Sequence, residues 1–168
     1  MSERAPCYTR GVDAIRIVEG DLRVEGLRIA LVASRFNAPV VERLVKGAVE
    51  ALIAHGADPA SLELVRVPGA FDLPPVARRI AKSGSCDAIV ALGAVIRGET
   101  AHFDYVAGEC AAGLARVACE TGVPVAFGVL TTDDEQQALE RAGGREGNKG
   151  ADAARAAIEL ASLMRKLG

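Results

Sequence analysis

Apolar residues in this chain fall into two patterns. Short continuous runs alternate with longer stretches in which apolar positions recur every three or four residues. Leu27-Arg28-Ile29-Ala30-Leu31-Val32-Ala33 is a run of the first kind and reads as a buried strand. Ser34-Arg35-Phe36-Asn37 breaks it. Asn37 is placed to N-cap a helix, with Ala38 and Pro39 in its first turn, where the missing proline N–H costs nothing. Val40, Val41, Leu44, Val45, Ala48, Val49, Leu52 and Ile53 then trace one apolar helical face. His55-Gly56 ends it, with Gly56 just past the C-cap.

The alternation continues to the end of the chain. Leu62–Val67 is a second strand, and Pro68-Gly69-Ala70-Phe71-Asp72-Leu73-Pro74 turns into a helix that runs to about Lys82. Cys86–Leu92 is a third strand, running on to Ile96, and a helix over 101–121 follows it. Val123–Leu130 is a fourth strand, followed by a helix over 133–142, a glycine-rich turn at Gly143–Gly147 and a last helix from about Asn148 to Leu167. Strands alternating with helices specify an α/β fold on a parallel sheet with helices on both faces. Ligands of such folds bind beyond the carboxyl ends of the strands. Segments 34–37, 68–72, 93–102 and 131–133 all follow strand ends, so they are expected to meet at one edge of the sheet. The order of the strands is not readable from the pattern.

Composition narrows the class. The 168 residues suit one domain over residues 15–168, preceded by a polar, aperiodic arm over 1–14 that is expected to be flexible. The net charge is −2 and the basic residues are scattered, so no nucleic-acid footprint is visible. No apolar run approaches a membrane span, and the first residues lack the apolar core of a secretory signal. The expected setting is cytoplasmic. Cysteines 7, 86, 110 and 119 have no metal-ligand spacing, which suits buried, reduced thiols. Half the residues are apolar but only 4% are aromatic. Part of that excess is expected to cover a subunit interface.

The segment Gly93-Ala94-Val95-Ile96-Arg97-Gly98-Glu99-Thr100-Ala101-His102-Phe103-Asp104-Tyr105-Val106 carries the candidate chemistry. A strand ends there in glycine and polar residues and a helix begins, leaving free N–H groups and a positive dipole end that suit an anion. Arg97-Gly98-Glu99-Thr100 can form an anion nest, or Thr100 can simply cap the helix. A helix start favours the neutral form of His102, which can accept a proton; a plain surface histidine fits the position equally well. Phe36 can stack on a planar heterocycle or act as a hydrophobic staple. For Phe71 and Phe127, core packing is the stronger reading. Dipole compensation alone explains Asp72 in its helix start and Arg141 at its helix end. Gly143–Gly150 fails the pattern of a phosphate-binding loop, because Gly150 follows Lys149 and a helix precedes the segment.

Together these segments resemble one family, 6,7-dimethyl-8-ribityllumazine synthase of riboflavin biosynthesis. The likeness runs from about Glu19 to Leu167. It rests on Ser34-Arg35-Phe36-Asn37, on Pro68 through Pro74, on Gly93 through Val106, and on Glu140-Arg141-Ala142-Gly143 with Gly147-Asn148-Lys149-Gly150. The resemblance implies a flavodoxin-like three-layer αβα sandwich with a four-stranded parallel sheet. It implies a transferase that joins 5-amino-6-(D-ribitylamino)uracil to 3,4-dihydroxy-2-butanone 4-phosphate without cofactor or metal.

Site roles follow from the same resemblance. Phe36 would stack on the uracil, Ala70 and Asp72 would lie along the ribityl chain, and Val95 and Ile96 would line the ring pocket. Glu99 and Thr100 would offer donors to the phosphate, Arg141 would clamp it, and His102 would carry protons. Phe127, Arg141 and Lys149 would come from a neighbouring subunit. The family usually has Glu where this chain has Asp72, so a weakened but retained ribityl contact is expected. Assemblies of pentamers, paired pentamers or sixty-subunit shells are implied, the short turn at Gly143–Gly147 being more like shell-forming members. Riboflavin synthase is an implied partner; nucleic acid and membrane are not.

Overall fold

Four of the apolar runs become one parallel sheet in a computed structural model that describes residues 15–168. The arm expected over 1–14 lies outside the described residues. The strands are β1 Ile29–Ser34, β2 Glu63–Val67, β3 Ala88–Ile96 and β4 Val125–Thr132. Helices α1 Ala38–Ala54, α2 Leu73–Lys82, α3 His102–Thr121 and α4 Glu135–Arg141 follow them in turn. The short strands β5 Ala142–Gly144 and β6 Gly147–Asn148 then lead into α5 Lys149–Leu167.

The spatial order is β2-β1-β3-β4, with all pairings parallel. From β1 the chain goes to β2 on one side, then returns past β1 to β3 on the other. Such a reversal leaves a crevice between the carboxyl ends of the two strands where the order turns, here β1 and β3. This is the flavodoxin-like three-layer arrangement. Strand alternation divides the core. Leu31, Ala33, Val90 and Leu92 pack with α1 and α5 residues, whereas Val32, Ile89, Ala91 and Val95 pack with α2 and α3 residues. β1 is buried throughout, and β3 everywhere except Ile96. Burial on both faces is why these two strands read as unbroken apolar runs.

Local chemistry sets the helix ends. At the end of α1, Ala57 N–H bonds the Leu52 carbonyl and Gly56 N–H bonds Ile53, while Gly56 takes φ +100°. This paired closure favours glycine at its left-handed position, as the sequence indicated. At the start of α5, the Asn148 side chain accepts from Gly150 and Ala151 N–H at 2.9 and 3.2 Å and donates to the Arg43 carbonyl at 2.9 Å. One amide therefore caps α5 and ties it to α1.

Several expectations shift: β1 and β3 begin at Ile29 and Ala88, later than the Leu27 and Cys86 expected. The fourth strand begins two residues late, because Pro124 has no N–H to give the ladder and contributes only its carbonyl, to Ile89 N–H. Pairing instead runs on through Thr131 and Thr132, opposite Val95 and Ile96. The turn at 143–147 is a small antiparallel ribbon of β5 and β6. Among the described cysteines, Cys86 and Cys110 are buried, but Cys119 is exposed, on the outer side of α3. Burial pushes the Cys110 thiol up to about 11.

Two outcomes follow for stability. A Cβ at Gly150 would overlap the Leu44 carbonyl of α1. Gly150→Ala should therefore destabilise the chain by about 3 kcal/mol in urea unfolding, through forced separation of α1 and α5. Burial raises the Asp87 carboxyl, but hydrogen bonds from Arg28 N–H and guanidinium, with the charges of Arg28 and Arg165, outweigh it and hold the group below its ordinary value. A lowered folded value gives stability that is present above the unfolded value of about 3.9 and lost as pH falls. Asp87→Asn should thus be less stable than the parent chain at pH 7, and the two melting curves should converge as pH drops below about 4.

Candidate active site

Three turns converge where β1 and β3 part. β3 pairs with β1 as far as Leu92 opposite Ala33, yet continues to Ile96. The Ala94 carbonyl lies beyond the last β1 partner, and a buried carbonyl needs a donor. Asn37 supplies it, its Nδ2 donating at 2.8 Å. Asn37 is the one non-glycine residue among those described with positive φ, at +59°. Asparagine tolerates that conformation better than most residues. The expected side-chain cap on α1 is therefore absent. The Asn37 backbone carbonyl instead accepts from Val40 and Val41 N–H, and the side chain is spent across the crevice.

The turn after β1 is also fastened to the turn after β2. Arg35 N–H bonds the Val67 carbonyl at 2.8 Å and Phe36 N–H bonds Pro68 at 3.0 Å. In the β2 turn, Ala70–Asp72 form a single 3₁₀ turn ahead of α2. One carboxylate oxygen of Asp72 accepts from Gly69 N–H at 2.9 Å, fixing that turn. In the third turn, Thr100 Oγ1 accepts from His102 N–H at only 3.4 Å, and no side chain caps α3. Simple capping thus accounts weakly for Thr100.

A cavity of about 760 Å³ opens between these turns. Its wall includes Phe36, Ala70, Asp72, Val95, Ile96, Thr100 and His102, all candidates from the sequence. Ala70 and Val95 are buried in the floor, while Phe36 is 71% exposed. A hydrophobic staple would cover that ring, so the staple reading of Phe36 does not hold. Phe71, Phe103 and Tyr105 also line the cavity. Phe71 is exposed, against the expectation of core packing. Tyr105 was missed, although its place three residues after His102 puts both on one helical face. The wall combines apolar surface, exposed aromatic rings, one imidazole and the loop residues Gly98 and Thr100. Such a wall can take a flat heterocycle with a polar chain and an anionic group.

Other candidates lie elsewhere on the chain. Glu99 is exposed and does not line the cavity. Residues 131–133 do not reach it either, although Asp133 pairs with Arg97. Phe127 sits on the edge strand β4, also exposed, and lines a separate groove of about 380 Å³ with Lys149 and Asp152. Lys149 Nζ pairs with Asp152 at 2.9 Å. Arg141 ends α4, and its Nη1 donates to the Gln137 carbonyl at 3.1 Å. The adjacent Glu140 is engaged by Arg145 at 2.8 Å, which with Gln136 holds that carboxyl below its ordinary value. Arg141 has no ion pair among the described residues. No described helix is long and apolar enough to cross a membrane, and no described group of three or more His, Cys, Asp or Glu is set to hold a metal.

The exposure of Phe36 generates a clean separation of stability from binding. Phe36→Ala should change unfolding free energy by no more than about 0.5 kcal/mol, because little of the ring is packed. It should weaken binding of a flat heterocyclic ligand in this cavity by about tenfold, the worth of one aromatic stack. Thermal melts and a fluorescence titration check the two halves.

The chain matches the model of the family described as 6,7-dimethyl-8-ribityllumazine synthase over residues 26–165. It belongs to that family, the lumazine synthases, transferases of riboflavin biosynthesis.

Proposed function

We propose that this lumazine synthase condenses 5-amino-6-(D-ribitylamino)uracil with 3,4-dihydroxy-2-butanone 4-phosphate, giving 6,7-dimethyl-8-ribityllumazine, phosphate and water. The observation that carries the reading is that an uncovered Phe36 ring, the Asp72 turn and His102 share one cavity in a chain of this family. In this reading the uracil stacks on Phe36 between Val95 and Ile96. The ribityl chain lies along Ala70 and the carboxylate oxygen of Asp72 not bonded to Gly69. The phosphate rests against the backbone of Glu99 and Thr100.

The reaction order follows from the reactants. The ring amine attacks the ketone carbonyl, and water leaves to form the imine. A proton is then removed from carbon and phosphate departs with its bonding electrons. The enol left by that elimination tautomerises to a ketone, the ribitylamino nitrogen attacks this new carbonyl, and a second water is lost as the ring closes. His102 accepts and returns protons in these steps. Arg141 stabilises the charge that develops on the departing phosphate. Holding two reactants together supplies much of the acceleration, which suits a site with few charged groups.

Arg141, Phe127 and Lys149 belong, in this proposal, to the pocket of a neighbouring subunit. Their positions support it: none reaches the cavity of its own chain, Phe127 is exposed, and Arg141 carries an uncommitted charge. The proposed assembly is therefore a homo-oligomer built from pentamers, as single pentamers, paired pentamers or a sixty-subunit shell. The proposed setting is the cytoplasm, with riboflavin synthase as a partner that takes up the product.

Turnover is followed by lumazine fluorescence and phosphate release against a no-enzyme control. Arg141→Ala should lower kcat by about 100-fold, the scale for a lost charge-stabilising donor. His102→Ala should cost about tenfold, because small acids in solution can replace part of a proton relay. A larger loss for His102→Ala would overturn this assignment of roles. Mixed oligomers of Phe36→Ala and Arg141→Ala should be more active than the mean of the separate variants, because some sites receive two intact halves. Lumazine binding without turnover in the parent chain would make it a carrier.

A further inference from the structure

Arg97 is absent from the cavity wall, yet it touches both ends of the loop on which the proposed phosphate would rest. Its backbone N–H bonds the Thr132 carbonyl of β4 at 2.8 Å. Its Nε reaches Asp133 and its Nη1 reaches Asp104, each at 3.3 Å. Its guanidinium lies 4.1 Å from the centre of the Phe103 ring. Asp104 is in the first turn of α3, so the side chain of Arg97 spans Gly98–Ala101 and closes that loop on itself. Asp133 N–H in turn bonds Gln137 of α4 at 3.3 Å. The carbonyl of the same Gln137 receives Arg141 Nη1.

We infer that Arg97 is a positioning residue for the phosphate-bearing reactant, fixing the Gly98–Ala101 loop and the start of α3 against the β4–α4 junction. The inference rests on the proposed reaction and on placing the phosphate at this loop. A tie of this form sets the spacing between the backbone N–H groups and His102. It also links that loop to the helix whose far end carries Arg141, so one subunit's contributions to two different pockets share an anchor. The guanidinium has a second, purely electrostatic effect, since it offsets two carboxylates beside an anion site. The two effects predict opposite results for Asp133→Asn. That substitution removes a negative charge but breaks the tie.

The paired groups are largely exposed, with side-chain exposures of 45% for Arg97, 62% for Asp104 and 72% for Asp133. Exposed pairs contribute little to global stability. Arg97→Gln and Asp133→Asn should therefore fold normally, and a kinetic change in them reports on the loop. The experiment measures KM for each reactant, kcat, and the dissociation constant of inorganic phosphate for the full chain in its native assembly. Arg97→Gln should raise KM for the butanone phosphate and weaken inorganic phosphate by about tenfold, while KM for the uracil stays within about threefold. Arg97→Lys should recover only part of the loss, because an ammonium group cannot bridge two carboxylates and stack on a ring. Asp133→Asn should also weaken phosphate. Tighter phosphate binding in Asp133→Asn, or an unchanged KM in Arg97→Gln, overturns the inference. No turnover in the parent chain would instead overturn the proposed reaction.

Discussion

The crevice between β1 and β3 depends on one hydrogen bond, from the Asn37 amide to the Ala94 carbonyl. At a strand-order reversal, two adjacent parallel strands must part, and their backbone groups lose the ladder just where a ligand is to enter. Water or a side chain has to replace the missing partner. Here a side chain does so from the turn that leads into α1. The bond holds Phe36, one residue earlier, at the rim with its ring uncovered. It also keeps Val95 and Ile96 in register with β4, although β1 no longer supports them. The positive φ of Asn37 is the conformational cost of this arrangement, and few residue types other than asparagine and glycine meet it cheaply.

Around that crevice the site is half built. Its floor is rigid: Ala70 and Val95 are buried, and Asp72 locks the β2 turn through Gly69 N–H. Its rim is open, with Phe36, Phe71 and Tyr105 all exposed in a chain that has few aromatic residues. Exposed aromatic surface of this kind marks a binding face. The complementary features, exposed Phe127 with Lys149 at the β4 edge and half-buried Arg141 at the end of α4, lie on other parts of the same chain. In the proposed assembly, a division of this sort would make catalysis depend on a neighbouring subunit.

The sequence showed the fold class and most element positions because both signals are local. Continuous apolar runs mark strands buried on two faces, and a period near 3.6 marks helices. The errors also had local causes. A proline at position 124 removed a ladder donor and delayed β4, and Cys119 lay on the outer side of a helix whose Cys110 faces inward. The Asp72 turn and the aromatic at position 36 were legible as candidates because they stand at strand ends. Whether Phe36 was covered was not legible, since the partner of a hydrophobic staple is decided by the direction in which a turn leaves the sheet.

By itself, the sequence determined which segments are strands and helices, which residues stand at the strand carboxyl ends, and the family. Those follow from periodicity, turn chemistry and residue identity, none of which needs a distant contact. Only the tertiary structure decided the strand order, the crevice between β1 and β3, and the separation of Arg141, Phe127 and Lys149 from the cavity. The same is true of Arg97, whose partners Asp104 and Asp133 come from different elements. Each of these depends on packing between segments far apart in the chain, and a pattern read along one dimension carries no record of which segments become neighbours.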